Sequence, residues 1–522
     1  MIRTVIVVAL LAVGRSTFAQ TASDLVQTKS DPMAELLNMM TQKGMLTEQE
    51  AQKVKDAAAQ IQAEADAKRT NELFPYGSKW KLGNDIKSVE LYGDLRFRYE
   101  NREAETPNGD RLELGRYRYA LRAGLRGDLV DDIYYGFRLE TSSNPRSPWV
   151  TMGTSASGVP YQGPFGKSTA TLGLGQIYLG WRPESWVDVT VGKMPNPMYT
   201  TPMLWDNDIN PEGFAERFKY TVGKADFFTT FGQFIYEDVN PDHTAAFLVP
   251  TIPVGQNAHT PFLLAWQAGV NYHLDKDKSF KIAPTIYNYT GVGQNTAPGS
   301  TPATPGFSDP YVGEGAGVPV NGASGYPAGP NDGFAFNQTG INNLLILDVP
   351  FEFNFKVSRL NARVFGDFAD NLMGAQRAEA AVAGALTNNP SIPLSIPLYR
   401  NENKAYQFGA AIGNGDKLAG LMYGNPVKKN TWEARTYWQH VEQYSLDPNL
   451  IDSDFFEGRE NMQGIYSAFS YSLTDSIIGT LRYGYASRIN NSLGTGGSNQ
   501  DIPQINPLNR YYILQFDLSW VF

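Results

Sequence analysis

The sequence predicts an all-β protein: a transmembrane antiparallel β-barrel of about 16 strands, within 14–18, preceded by a short N-terminal α-helical segment. Three observations point there. Apolar and polar residues alternate with period two from Val89 to the last residue. Short polar links between these runs alternate with long loops, so one end of the molecule carries turns and the other carries loops. The chain closes on RYYILQFDLSWVF. There Tyr512, Leu514, Phe516, Leu518, Trp520 and Phe522 share one face, and Tyr511, Gln515, Asp517 and Ser519 lie mostly on the other.

Composition narrows the class. The 522 residues include Gly 50, Tyr 28, Phe 28, Trp 9 and no cysteine, with 12% aromatic residues, a chain rich in rings and turn formers. The lack of cysteine suits export to an oxidising compartment. A formal net charge of -9 excludes a nucleic-acid binder, which needs a basic face against phosphates.

At the N-terminus, Arg3, the apolar run TVIVVALLAVG and the small residues Thr17 and Ala19 predict a signal peptide over 1–19, cut after Ala19. Beyond it no run reaches the roughly 18 apolar residues of a spanning helix, so any crossing is made by strands. Residues 20–72 read as a periplasmic helical segment. Met33, Leu36, Leu37 and Met40 recur at helical spacing before Gly44. Thr47 and Glu50 form a capping box, after which Ala51, Val54, Ala58, Ile61 and Ala65 step by three and four. That spacing suits a short coiled coil or a lone amphipathic hairpin. Residues 73–87, with Pro75 and Gly77, read as a linker into a barrel domain at 88–522.

Along the barrel, Val89, Leu91, Leu95, Phe97 and Tyr99 face outward, with Glu90, Asp94, Arg96, Arg98 and Glu100 between them. In RYRYALRAGLRGDL, Tyr117, Tyr119, Leu121, Ala123 and Leu125 alternate with Arg116, Arg118, Arg122 and Arg126. In LLILDVPFEFNFKVS, Leu345, Leu347, Val349, Phe351, Phe353, Phe355 and Val357 lie outside. Turns near 130, 183, 223, 276 and 474 alternate with loops over about 142–170, 195–212, 238–261, 291–341, 371–402 and 491–508. An even strand number puts both chain ends on the periplasmic side. The stretch 415–430 is ambiguous. A soluble β-sandwich fits worse, because its strands run to about five or six residues and a loop of some fifty is uncommon in a compact domain.

Four stretches, LLNMMTQKGMLTEQEAQKV at 36–54, VTVGKMPNPMYTTPMLWDNDINPEGFA at 189–215, LIDSDFF at 450–456 and the terminal strand, carry a resemblance over nearly the whole mature chain. The sequence resembles the bacterial outer-membrane putative porin family, of the type with an N-terminal helical segment. The resemblance implies residence in the outer membrane among its lipids and lipopolysaccharide, a homotrimer, and a C-terminal strand read by the barrel-assembly machinery. Phe522 is then an assembly signal; its plainer reading is a girdle aromatic. The implied function is passive diffusion of ions and small hydrophilic solutes, without a cofactor. A channel specific for a sugar, phosphate or another small anion, or a barrel-anchored adhesin, are the alternatives.

A barrel of about 16 strands leaves an aqueous lumen, so the inward face does the selecting. Arg96, Arg98, Arg116, Arg118, Arg122, Arg126 and Arg138 share the polar parity and form a predicted basic wall, with Arg96 roughly opposite Arg116. Glu90, Asp94, Glu100, Asp128 and Glu140 share it too, so an ion-pair lattice is the alternative. The loop PNPMYTTPMLWDNDINPEG gathers Asp206, Asp208 and Glu212, and its prolines suit a fixed constriction opposite that wall. Its D-N-D run could otherwise bind Ca²⁺, although the spacing matches no complete calcium loop. Asp452 and Asp454 read as solvated loop charge. His243, His259, His273 and His440 have no recognisable serine partner, so no enzyme and no metal site is predicted.

Overall fold

The structure is a computed structural model. It describes Gly83 and residues 85–142, 147–153, 171–236, 262–290, 343–379, 398–421, 428–495, 501–502 and 507–522. The predicted signal peptide at 1–19, the predicted helical segment at 20–72, most of the predicted linker, and His243 and His259 lie outside the described residues.

Sixteen antiparallel strands form one closed sheet. They begin with β1 (Glu90–Glu105), β2 (Arg111–Asp128), β3 (Ile133–Ser142), β4 (Thr171–Glu184), β5 (Val187–Lys193), β6 (Glu212–Val222), β7 (Ala225–Ile235) and β8 (Phe262–Asp275). Two interrupted strands follow, β9 (Lys278–Ile282 with Thr285–Tyr289) and β10 (Leu345–Asp348 with Phe351–Val357). The rest are β11 (Leu360–Asn371), β12 (Lys404–Gly413), β13 (Trp432–Val441), β14 (Met462–Ser472), β15 (Ile477–Arg488) and β16 (Arg510–Val521). Both interruptions fall at a proline, Pro284 and Pro350, which lacks the ladder N–H. They lie side by side, with Ile282 paired to Phe351 and Thr285 to Asp348. Val150 and Thr151 return beside the upper part of β2, pairing with Tyr119 and Arg118.

Closure comes from β1 and β16, which pair from Asp94–Val521 to Glu105–Arg510. Phe522 completes the seam: its N–H donates to Gly93 O (3.1 Å) and its carbonyl accepts from Gly93 N–H (2.9 Å). A side chain at Gly93 would meet the Phe522 ring, so the last residue needs a glycine opposite it. Closing the sheet leaves no edge with unpaired backbone groups, the condition for strands to stand in lipid.

The predicted parity holds. Leu91, Phe97, Tyr99, Tyr117, Leu125, Leu514, Phe516, Leu518 and Trp520 are exposed on the outer face, while Arg98, Glu100, Gln515, Asp517 and Ser519 are buried inside. Trp181, Trp186, Tyr220, Tyr272, Tyr471, Trp520 and Phe522 are exposed outside within a few residues of the turn end, where an interfacial girdle belongs.

β1 starts and β16 finishes at that same end. Its connections at 129–132, 185–186, 223–224, 276–277, 358–359 and 473–476 are short, and Asp131 and Asp132 take the left-handed conformation that a tight hairpin uses. One connection there is long. The described part of the ambiguous stretch before β13 adds no strand: it folds inward, where Arg435 donates to Leu421 O (3.1 Å) and Gly420 O (2.7 Å), and Glu433 accepts from Ala419 N–H (2.7 Å).

At the opposite end, among the described residues, Thr106–Asp110 is the one tight turn, closed by Thr106 N–H to Asp110 O (2.8 Å). Two of the long connections there enter the barrel. In 194–211, Met194, Met198, Met203, Leu204 and Trp205 are buried, and Gln267 of β8 clips the loop by accepting from Tyr199 N–H (3.0 Å) and donating to Tyr199 O (2.8 Å). In 442–461, Tyr444, Leu446, Ile451, Phe455 and Phe456 are buried, with the Phe455 ring 5.2 Å from Tyr466 of β14. These apolar anchors make the core of the molecule a lining inside the barrel.

Candidate functional site

The two inward loops meet each other and the arginine face of β1–β3. Asp206 N–H donates to Leu450 O (2.5 Å), Asp452 N–H to Pro202 O (3.1 Å), and Ser453 donates through N–H (3.1 Å) and Oγ (2.8 Å) to Asp206 Oδ2. Asp206 Oδ1 accepts from Asp208 N–H (2.8 Å), which turns Asp208 outward from the clasp to pair with Arg122. Asp454 reaches β1 from the second loop, 2.7 Å from Arg98 and 3.7 Å from Arg102. The expectation of solvated charge at Asp452 and Asp454 is therefore corrected. The phenylalanines that follow them are buried, and drag the carboxylates inside.

The register also corrects the predicted opposition of Arg96 and Arg116. Arg96 pairs with Ala120, Arg98 with Arg118, and Glu100 with Arg116. The partner of Arg96 lies four residues further along β2 than expected, and this register places a carboxylate at the centre of the wall. Glu100 is fully buried, 3.8 Å from Arg98, 3.4 Å from Arg102, 3.4 Å from Arg118 and in short contact with Arg116. Like charges on neighbouring strands repel, and a buried carboxylate between them removes that cost.

Each predicted arginine has a partner. Arg96 lies 2.6 Å from Asp94. Arg98 donates through two nitrogens to Asp517 (2.7 and 2.9 Å), and its guanidinium sits 4.0 Å from the Trp149 ring, a cation–π contact. Arg116 is 2.5 Å from Asp501, and Arg122 is 3.2 Å from Glu140. Arg138 donates to Glu140 (2.6 and 2.9 Å), and Arg126 to Glu90 (2.7 and 2.9 Å) near the turn end. Glu212 does not join the acidic cluster: it opens β6 on the exposed side, 2.5 Å from Lys193. Arg102 and Arg482 belong to the wall although the sequence reading omitted them. Arg102 is buried between Asp501 (3.0 Å) and Tyr511 (2.7 Å), and Arg482 contacts Asp517. The period-two rule extended two residues past Glu100 would have found Arg102.

Electrostatics divide the loop carboxylates into two kinds. Burial, and then the neighbouring Asp208 charge, push Asp206 up to about 7. Burial, Asp206 and Asp454 hold Asp452 well above the usual carboxylate range. For Asp454 burial acts upward as well, but Arg98, Arg482 and Arg102 outweigh it and hold the group low. Asp208 is likewise held low against its burial by Arg122 and Arg96. The clasp between loops thus favours protonation of Asp206 and Asp452, and the contacts to the wall favour ionisation of Asp208 and Asp454. Among the described residues no group of three or more His, Asp or Glu side chains is placed to hold a metal ion.

Of the described histidines, His273 lies 2.7 Å from Asp226 at the turn end, and His440 is 3.4 Å from Glu442 with its ring stacked on Tyr406.

A family profile described as Putative porin matches residues 104–309. Comparison of the sequence with curated proteins returns no match. Among solved structures, in-vitro folded OmpT, an outer membrane protein of Vibrio cholerae, aligns at 11% identity over 84% of this chain and 100% of that one, with a TM-score of 0.37. An anion-selective porin from Comamonas acidovorans aligns at 7% identity over 83% of this chain and 99% of that one, TM-score 0.39. Salmonella typhi OmpF in complex with daunomycin aligns at 8% identity over 84% and 99%, TM-score 0.41. At these scores the fold rests on the chain's own strand pairing.

Proposed function

From the putative porin family, which residues 104–309 match, we propose that this chain is an outer-membrane diffusion pore for ions and small hydrophilic solutes. The observation that carries the reading is the position of the charge network. Two loops of a closed 16-strand barrel fold inward and bring Asp208 to Arg122 and Asp454 to Arg98, on the face that would meet water. Charged groups at a narrowing sort solutes by charge and dipole without any bond chemistry. Both barrel termini then lie on the periplasmic side, with residues 20–72 ahead of β1 and a trimer as the assembly. The barrel-assembly machinery would read the β16 strand ending in Phe522.

Liposome swelling tests this. Folded protein reconstituted into vesicles should admit small neutral sugars and exclude larger ones, with a graded size cut-off. Vesicles that hold folded barrels and remain osmotically tight to the smallest sugar would overturn it.

A further inference from the structure

On the turn side of the Arg122–Asp208 contact lies a cavity of about 300 Å³ between β1–β4 and the inward loop 194–211. We propose that it binds a small organic carboxylate in transit, which rests on the pore reading and names a solute class for it.

Among the described residues, three guanidiniums line the cavity, those of Arg122, Arg126 and Arg138, and no carboxylate does. Their counter-charges pair with them without joining the cavity lining: Glu140 and Asp208 hold Arg122, Glu90 holds Arg126, and Glu140 holds Arg138. Those bonds use Nε and Nη2 of Arg122 and Arg126, so Nη1 of each makes no hydrogen bond among the described residues. A further donor comes from the loop. Asn196 Oδ1 accepts from Met198 N–H (3.0 Å), while Asn196 Nδ2 is buried without a partner. Gln176 adds an amide fixed between Tyr92 (3.2 Å) and Asn210 (2.8 Å).

A surface this rich in donors calls for a ligand rich in acceptors, and planar guanidiniums match a carboxylate's two oxygens. A sugar hydroxyl would bring donors that find few acceptors here. The carbon body of the ligand also has a place. Tyr92 lies over Gly124 and Tyr178 over Gly136, so close that a side chain at either glycine would strike the ring. Both rings are thereby held flat on the wall, and with Pro195 and Met198 they offer apolar surface beside the donors.

The test is single-channel recording in KCl with added succinate, inorganic phosphate or glucose. Succinate should interrupt the open-channel current at a concentration about tenfold below that of phosphate, and glucose should not interrupt it. Arg138→Gln should raise the half-blocking succinate concentration about tenfold, the loss expected for one charge-assisted contact. Asn196→Asp leaves the strands untouched, retains the acceptor for Met198 and places a negative charge at the free donor, so it should abolish the block. KCl conductance in each variant reports that the barrel is folded. A conducting channel with no succinate block, block unchanged in both variants, or equal block by phosphate overturns the carboxylate site. Folded protein that gives no KCl conductance at all overturns the pore reading instead.

Discussion

Replacing Asp454 with asparagine retains its shape and removes one negative charge between Arg98 and Arg102, which lie 2.7 and 3.7 Å away. Two effects follow. The first is on stability. Breaking a fully buried pair costs about 3–5 kcal/mol, but the Asp454 side chain is 27% exposed and Arg98 retains its two bonds to Asp517. With that solvent screening the loss should be about 1–2 kcal/mol. The second is on ion preference. One uncompensated positive charge about 8 Å from a passing ion, in water-like dielectric, changes its energy by about 0.5 kcal/mol. The anion gains and the cation loses that amount, so the anion-to-cation permeability ratio rises about fivefold. The assay pairs reversal potentials across a tenfold gradient of dilute salt with the temperature at which the folded, heat-modifiable band disappears. An unchanged reversal potential together with unchanged melting would mean that Asp454 does not stand in the ion path or hold its loop, and its contact with the arginine wall would be wrong.

Replacing Arg116, Arg118 and Arg122 together with glutamine should shift the reversal potential toward cations, and the shift should shrink in molar salt, where the Debye length is about 3 Å; an unaltered potential at low salt would reduce these groups to a structural lattice. For pH, Asp206 is raised to about 7 by burial and Asp208, so its contribution to loop closure is full below the ordinary carboxylate range and is lost as pH rises through about 7. Asp454 and Asp208 are held low, so theirs is present above that range and lost in acid. Open-channel noise should therefore be lowest between about pH 4 and 7, and Asp206→Asn should remove the rise at high pH; noise independent of pH would contradict this. Deleting Phe522 removes two backbone bonds at the seam and a girdle ring. Secretion across the inner membrane should persist while folded yield in outer-membrane fractions falls, and an unchanged yield would leave the residue an ordinary interfacial aromatic.

Most of the barrel was legible because its two faces meet different solvents. A strand such as β16 must alternate, and a one-residue error would turn every side chain to the wrong face. What period two does not encode is pairing partner and loop direction. The opposition of Arg96 to Arg116 failed because the hairpin closes at Thr106–Asp110, which moves the partner of Arg96 four residues on, to Ala120. Asp452 and Asp454 looked solvated because a polar run on a long connection usually is. The deciding signal was Phe455 and Phe456 immediately after them, two large rings that need burial. Arg102 lay on the predicted parity and was missed by stopping the strand early. Glu212 was grouped with Asp206 and Asp208 by proximity in sequence, yet a strand begins there and alternation carries it outward. The stretch before β13 mixes glycine, lysine and asparagine without a period. Its inward path depends on Arg363 and Arg435 gripping its carbonyls, contacts that no local pattern announces.

On the proposed reading the closed barrel is a water-filled path narrowed by charged loops. Planar-bilayer recording of the folded protein tests it most directly. Discrete conductance steps should appear, with a reversal potential in dilute salt gradients that moves in opposite directions when Arg122 and Asp454 are neutralised. A correctly folded, inserted preparation that yields no steps would contradict the account.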